Sequence, residues 1–119
     1  MPRAVDGTRR KDRRNKILKQ AKGYWGRRSK LHKTAKDAVA KSLQYAYRDR
    51  RARKRDFRRL WITRLSAACR AEGISYSRFI NGLNNAEIKV NRKALSNMAI
   101  EDPSAFKELV ETAKKNTSV

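Results

Sequence analysis

Residues 27–72, RRSKLHKTAKDAVAKSLQYAYRDRRARKRDFRRLWITRLSAACRAE, contain neither glycine nor proline and are rich in Ala, Arg, Lys and Leu. Those residue types lose little freedom in a helix, and nothing between Gly26 and Gly73 interrupts a backbone ladder, so the stretch predicts helix. If continuous, it would extend roughly 70 Å at 1.5 Å per residue, more than the width of so small a domain, and must project. Its early part carries a narrow stripe, Leu31, Ala35, Ala38, Val39, Leu43 and Ala46, spaced by three and four. From Arg48 to Arg59 the stripe vanishes, leaving only Ala52 and Phe57 among charges. No core can accept that segment. Amphipathicity returns at Leu60, Trp61, Ile62, Leu65 and Cys69, and Gly73 stands where a left-handed cap is wanted.

Outward from this stretch, the two ends read differently. On the N-terminal side a helix is expected around residues 10–21, separated from the long helix by a break at Gly23-Tyr-Trp-Gly26. On the C-terminal side, Ser75 or Ser77 starts a short helix with Tyr76, Phe79, Ile80 and Leu83 on its apolar side. Ile88 and Val90 form a brief connection, and Asn91 caps a helix bearing Leu95, Met98 and Ala99. Asp102-Pro103, a cap followed by proline at the first helical position, opens a last helix through Phe106, Leu109, Val110 and Ala113. The expected fold is all-α: a long, kinked N-terminal helical arm, residues 1–59, and a small C-terminal helical bundle, residues 60–119.

The charge divides at the same place. Of the chain's +21, residues 1–59 hold +18, from 23 Lys and Arg against five Asp; residues 60–119 hold +3, from nine against six. Ile, Leu, Val and Met run the other way, seven against fourteen. The second half can build the single core that 119 residues allow; the first has too little apolar surface to order itself. So large a charge of one sign seeks an external polyanion. The run 48–59, with eight cations and two Asp, is its densest part. A merely solvated helix usually mixes acid and base in near balance, whereas phosphate contact is the main use of an unbalanced one.

Arginine outnumbers lysine in the first half, and a guanidinium both forks onto phosphate and stacks on bases. Tyr24, Trp25, Tyr45, Tyr47 and Phe57 lie among these cations. Tyr24, Trp25 and one of Tyr45 and Tyr47 are candidates to stack on unpaired bases; the alternative for Tyr45 and Phe57 is local packing against a neighbouring helix. Asp37 has the spacing to pair with Lys33 and Lys41, and Asp49 with Arg53. No two acids cluster as a magnesium site would require. One histidine, His32, and one cysteine, Cys69, cannot make a zinc site, and there is no glycine-rich phosphate loop. Neither catalysis nor a cofactor is expected. Cys69, within Leu65-Ser-Ala-Ala-Cys69, reads as a small apolar helix residue. No stretch approaches the roughly 18 apolar residues of a membrane span, and no apolar segment comes after Met1-Pro-Arg3, which favours a soluble intracellular protein. A long arm without a core suits folded RNA, which offers internal crevices; the competing reading is an architectural, DNA-compacting basic protein.

Several segments in fixed order carry a resemblance: Met1-Pro-Arg3, Ala21-Lys-Gly-Tyr-Trp-Gly-Arg-Arg-Ser29, Gln44-Tyr-Ala-Tyr-Arg-Asp-Arg-Arg51, Lys54-Arg-Asp-Phe-Arg-Arg-Leu-Trp-Ile62, Gly73-Ile-Ser-Tyr-Ser77, Phe79-Ile-Asn-Gly-Leu83 and Asn91-Arg-Lys93. Over almost its whole length the chain resembles the family of the twentieth protein of the bacterial large ribosomal subunit. The resemblance implies a structural, non-enzymatic protein that binds large-subunit (23S-type) rRNA and supports assembly of that subunit, in a cytoplasmic ribosome of bacterial or organellar type. It implies rRNA and neighbouring large-subunit proteins as partners, with no membrane and no homo-oligomer. In some members the C-terminal domain also represses translation of its own mRNA. Carried residue by residue, the resemblance points to Arg3, Arg9, Arg10, Lys22, Tyr24, Trp25, Arg27, Arg28 and Ser29 as RNA-facing. A second group is Tyr45, Tyr47, Arg48, Arg50, Arg51, Lys54, Arg55, Arg58 and Arg59, and the C-terminal half adds Ser75, Ser77, Asn81, Arg92 and Lys93. Asp6 and Asp12 depart from the family's basic pattern.

Overall fold

The structure, a computed structural model, describes residues 7–117. Among these it is all-α: α1 Arg9–Gln20, a 3-10 turn Gly26–Ser29, α2 His32–Ala71, α3 Tyr76–Asn85, α4 Arg92–Glu101 and α5 Pro103–Asn116. By packing the chain forms two compact units, Met1–Arg51 and Ala52–Val119, and α2 contributes to both. The expected all-α class holds, as do the helix in residues 10–21 and the three short C-terminal helices.

One boundary differs from expectation. The long helix does not begin after Gly26 but at His32, behind a 3-10 turn. The cause is local. Gly26 takes φ +64°, a region costly for a side chain. The turn it opens is closed by Ser29, whose hydroxyl donates to the Gly26 carbonyl at 3.0 Å, and the N–H groups of Lys30 and Leu31 both reach the Arg27 carbonyl. Gly23, at φ +88°, makes the preceding turn after α1. Propensity alone cannot show this, because each residue from 27 to 31 is helix-compatible and the decision lies in one glycine's dihedral.

The two units differ in how much they bury. In the first, Ala21, Ala35 and Val39 are buried, with Ile17, Leu18 and Tyr24 packed against them. That cluster of small side chains is meagre against the roughly 1–2 kcal/mol per residue that backbone ordering costs. In the second, Leu65, Cys69, Ile74, Phe79, Leu83, Leu95, Phe106, Val110 and Ala113 form one buried cluster. Phe79 and Phe106 meet within it with ring centroids 5.4 Å apart, tilted by 47°. The expected apolar faces of α3, α4 and α5 are thus the buried ones. Leu60, expected on the apolar face of α2, is instead 40% exposed, and Trp61 and Ile62 are half-buried.

Capping fixes where each helix of the second unit ends. α2 closes as a Schellman motif: the Ile74 N–H donates to the Cys69 carbonyl at 3.0 Å and the Gly73 N–H to the Arg70 carbonyl at 3.1 Å, with Gly73 at φ +76° as expected. α3 ends the same way, Ile88 donating to Leu83 and Glu87 to Asn84. There the left-handed position is taken by Glu87 at φ +58°, a placement that no residue-type preference points to. The Ser75 hydroxyl accepts from the Arg78 N–H, Asn91 Oδ1 from Ala94 and Asp102 Oδ1 from Ala105, so all three expected N-caps form. The end of α5 is tied back by Asn85 Nδ2 donating to the Asn116 carbonyl at 2.9 Å and by Lys114 Nζ donating to the Glu72 carbonyl at 2.6 Å.

Two consequences are measurable. A Cβ built on Gly82 would lie 2.7 Å from Ala113 Cα and closer still to its carbonyl oxygen, so α3 and α5 approach to backbone contact there. Gly82→Ala should destabilise the second unit by roughly 1–3 kcal/mol, the range for overpacking a core, despite its better helix propensity; urea unfolding followed by circular dichroism measures it. Cys69 is wholly buried, and burial pushes its thiol from 9.0 up to about 11. Above pH 9 an unfolded chain sheds that proton while the folded one keeps it, so stability present below pH 9 is lost as pH rises to 11. Comparing urea midpoints at about pH 8 and about pH 10.5 for the wild type and Cys69→Ala should show a steeper alkaline loss in the wild type.

Candidate nucleic-acid interface

The first unit displays its cations in two clefts. Arg9 and Arg10 are exposed at the start of α1, and Arg10, Arg13, Arg14, Lys16, His32 and Lys36 line a cleft of about 570 Å³. Asp12 does not line this cleft; its carboxylate accepts from the Thr8 hydroxyl at 3.3 Å. Arg3 lies outside the described residues, as does Asp6. Lys22 is exposed at the turn leaving α1.

The segment between Gly23 and Gly26 sorts its aromatics into opposite roles. Tyr24 is half-buried against the Ala21, Ala35 and Val39 cluster; Trp25, next to it, is 90% exposed. Arg27 and Arg28 are exposed in the 3-10 turn, while the Ser29 hydroxyl is engaged with the Gly26 carbonyl. Tyr24, Trp25, Arg28, Asp37, Lys41 and Tyr45 line a second cleft, of about 800 Å³. Tyr45 is therefore brought to Tyr24, Trp25 and Arg28, all four of them expected to face RNA.

Along α2, Arg48, Arg50, Arg51, Lys54, Arg55, Arg58 and Arg59 are all exposed. Tyr45 carries a cation on either side in sequence: Lys41 Nζ lies 5.0 Å and the Arg48 guanidinium 4.6 Å from its ring centroid. Arg51 sits 4.3 Å over the ring of Tyr47. Such contacts are worth roughly 0.5–1 kcal/mol at exposed sites and hold long side chains in place. Phe57 stacks on Trp61 of the same helix at 6.3 Å, and the cations over Tyr45 also come from α2, so the ring partners of both lie within their own helix and not on a neighbouring one.

The expected acid–base pairs do not form. Asp49 meets Arg48 at 3.0 Å rather than Arg53, and no ion pair within 4.0 Å holds Asp37 among the described residues. Two nearby cations are engaged elsewhere: Lys41 and Arg48 take positions over the Tyr45 ring, and Arg48 does so while its Nε donates to Asp49. Asp49 and Asp56, seven residues apart, share one edge of α2, whereas Arg51, Lys54, Arg55 and Arg58 recur at three- and four-residue spacing on another. Like charges so placed repel, and among the described residues a single ion pair relieves them along this stretch.

In the second unit Ser75, Ser77 and Asn81 line a cleft of about 600 Å³ with Arg78 and Lys114. Ser75 is already committed as the cap of α3. Arg92 is half-buried, its Nε donating to the Tyr76 hydroxyl at 2.7 Å, and Lys93 is exposed. Sequence reasoning passes over Arg78 and Lys114 here, and Arg13, Arg14, Lys36 and Lys41 in the first unit. A signal exists for Arg78, since it stands three residues from both Ser75 and Asn81; none exists for Lys114, because only the fold brings it near α3. Groups of three or more His, Cys, Asp or Glu placed to hold a metal are absent among the described residues, and no described helix is long and apolar enough to cross a membrane.

An all-α chain with small buried clusters and a helix whose exposed arginines from Arg48 to Arg59 are offset, among the described residues, by a single ion pair belongs to the class of polycationic proteins built to meet a polyanion. The model of the family described as Ribosomal protein L20 matches residues 3–109. A Thermoanaerobacter protein named large ribosomal subunit protein bL20 is 63% identical over 116 residues, 98% of either chain. Proteins of the same name from Staphylococcus carnosus and Geotalea daltonii are 60% and 54% identical over 114 and 116 residues, covering 96% and 98% of this chain and 97% and 99% of theirs. This chain belongs to the ribosomal protein L20 family. The DNA-compacting alternative gains no support from these matches.

If the α2 cations act as phosphate ligands, removing two of them weakens binding without regard to sequence. Arg55→Gln with Arg58→Gln should lower the slope of log K against log salt by about 2, one for each phosphate ligand removed. Titration of a large-subunit rRNA fragment at several salt concentrations reads that slope, and helix content should be unchanged.

Proposed function

We infer that this chain is a structural protein of the bacterial-type large ribosomal subunit, which binds 23S-type rRNA and supports the subunit's assembly in the cytoplasmic ribosome. Family membership supports this reading. The physical observation that carries it is the row of exposed cations from Arg48 to Arg59, relieved among the described residues by a single ion pair. Residues 1–59 are the RNA-facing portion, and residues 60–119 the portion ordered by its own core. Neither portion performs catalysis.

Binding and ordering of the first portion are one event in this reading. Its buried cluster is small, and repulsion among its cations opposes compaction until phosphates neutralise them. Ordered on two RNA segments at once, α2 would hold them in fixed relation early in assembly. The cleft beside Ser77, Arg78 and Asn81 gives the second portion a polar, basic surface of its own. That surface fits a further contact to rRNA or to the protein's own mRNA, and neighbouring large-subunit proteins would cover part of the rest.

The test is competition. Full-length protein is offered large-subunit rRNA, duplex DNA of matched length and anionic vesicles together, at about 0.15 M salt, where non-specific phosphate binding is already weakened. The rRNA should be bound preferentially, and circular dichroism should show helix content rising as it binds. Equal retention by duplex DNA, or a helix content that ignores both salt and rRNA, would overturn the reading.

A further inference from the structure

We propose that the cleft lined by Tyr24, Trp25, Arg28, Asp37, Lys41 and Tyr45 holds one unstacked guanine of the bound RNA, its ring on Trp25 and its Watson–Crick edge donating to the Asp37 carboxylate. This rests on the RNA-binding reading above and assigns the recognition chemistry of one site within it.

Trp25 supplies the stacking platform. At 90% exposure it leaves an indole in water, and its ring has no aromatic or cationic partner among the described residues. Its position is nevertheless defined. Gly23 and Gly26 hold positive φ on either side of it, and Tyr24 is anchored in the buried cluster. The indole is open to a base, and stacking on an aromatic is worth about 1–3 kcal/mol per base. Tyr45, the other exposed ring of the cleft, is already covered by Lys41 and Arg48. It orients cations; it does not stack.

Asp37 supplies the selectivity. A carboxylate in a cleft shared with Arg28 and Lys41 works against phosphate binding, so another role is needed to account for it. It has lysines four residues away on both sides, yet it makes no ion pair or hydrogen bond among the described residues, and Lys41 lies over the Tyr45 ring instead. An ionised carboxylate only accepts. Of the four bases, guanine alone presents two adjacent donors, N1–H and N2–H, matching both carboxylate oxygens; uracil presents one donor between two acceptors. Arg28 and Lys41 remain for the flanking phosphates, and about 800 Å³ accommodates a nucleotide.

The experiment uses the full chain carrying Trp61→Phe, which leaves Trp25 as the only tryptophan. Its fluorescence is titrated with heptauridylate, with the same heptamer bearing guanosine at the centre, and with an RNA duplex of equal length. The guanosine heptamer should bind roughly tenfold tighter than heptauridylate, the scale of one bidentate base contact. Asp37→Ala should weaken the guanosine heptamer while tightening heptauridylate, since the charge removed repels phosphate. Trp25→Leu, followed by fluorescence anisotropy of labelled RNA, should weaken both heptamers and leave the duplex unchanged. Equal affinity of the parent for the two heptamers, or an Asp37→Ala effect of the same sign on both, overturns the proposal. Binding to large-subunit rRNA is measured alongside: rRNA bound with the heptamers indistinguishable sinks only this inference, while failure to bind rRNA sinks the functional reading itself.

Discussion

Repulsion among cations is the constraint on which the rest of this molecule depends. With +18 of its +21 in residues 1–59, that portion gains little from compaction, which brings like charges closer and buries only a small cluster of Ala21, Ala35 and Val39 in return. Helix is the regular structure compatible with this condition. It satisfies each backbone N–H and C=O within the segment and leaves every side chain pointing outward. Strands would need partners that a segment this charged cannot provide. The lack of glycine and proline through residues 27–72 and the outward display of cations along α2 thus answer the same requirement.

The second unit solves the opposite problem, that of making a small core close tightly enough to persist. Its means are geometric. Gly82 lets α3 and α5 touch at the backbone, the two phenylalanines pack against each other within the core, and side-chain caps start α3, α4 and α5. Cys69 belongs to this scheme as a small buried apolar group; its thiol, held protonated to about pH 11, is far from the ionised state that reactivity needs. Glu87 takes the left-handed position at the end of α3 although glycine would adopt it more readily, with Leu83 and Ile88 on either side of it packed in the core.

Legibility followed the range of the interaction. Local signals read well. Gly73 after α2, Asn91 before α4 and Asp102-Pro103 before α5 each act within a few residues, and each stands where expected. Periodicity likewise exposed Phe79, Leu83, Leu95, Phe106 and Val110 as core. What failed involved competition between partners of similar strength. Asp37 and Asp49 each had lysine or arginine at helical spacing, but Lys41 lies over the Tyr45 ring and Asp49 is met by its sequence neighbour Arg48, and a pair worth a few tenths of a kcal/mol is easily displaced. The start of α2 was illegible for another reason, since it turns on the positive φ of Gly26 and the turn that Ser29 closes, not on the propensities of residues 27–31.

The aromatic residues of the basic region show how such a segment acquires definition without a core. A lysine or arginine on a bare helix samples many rotamers, and each phosphate contact must then offset the loss of that freedom. A ring beneath the cation narrows the search beforehand. Tyr45 does this for Lys41 and Arg48, and Tyr47 for Arg51. The Arg51 guanidinium edge stays free to form forked hydrogen bonds, because a guanidinium resting on a ring face is held through its plane and not through its donors, whereas Arg48 already spends its Nε and Nη2 on Asp49. Where burial cannot order a binding surface, exposed tyrosine and arginine in alternation order it from within one helix. The exposure of these rings, which in an ordinary domain would mark a failure of packing, is the condition under which that ordering operates.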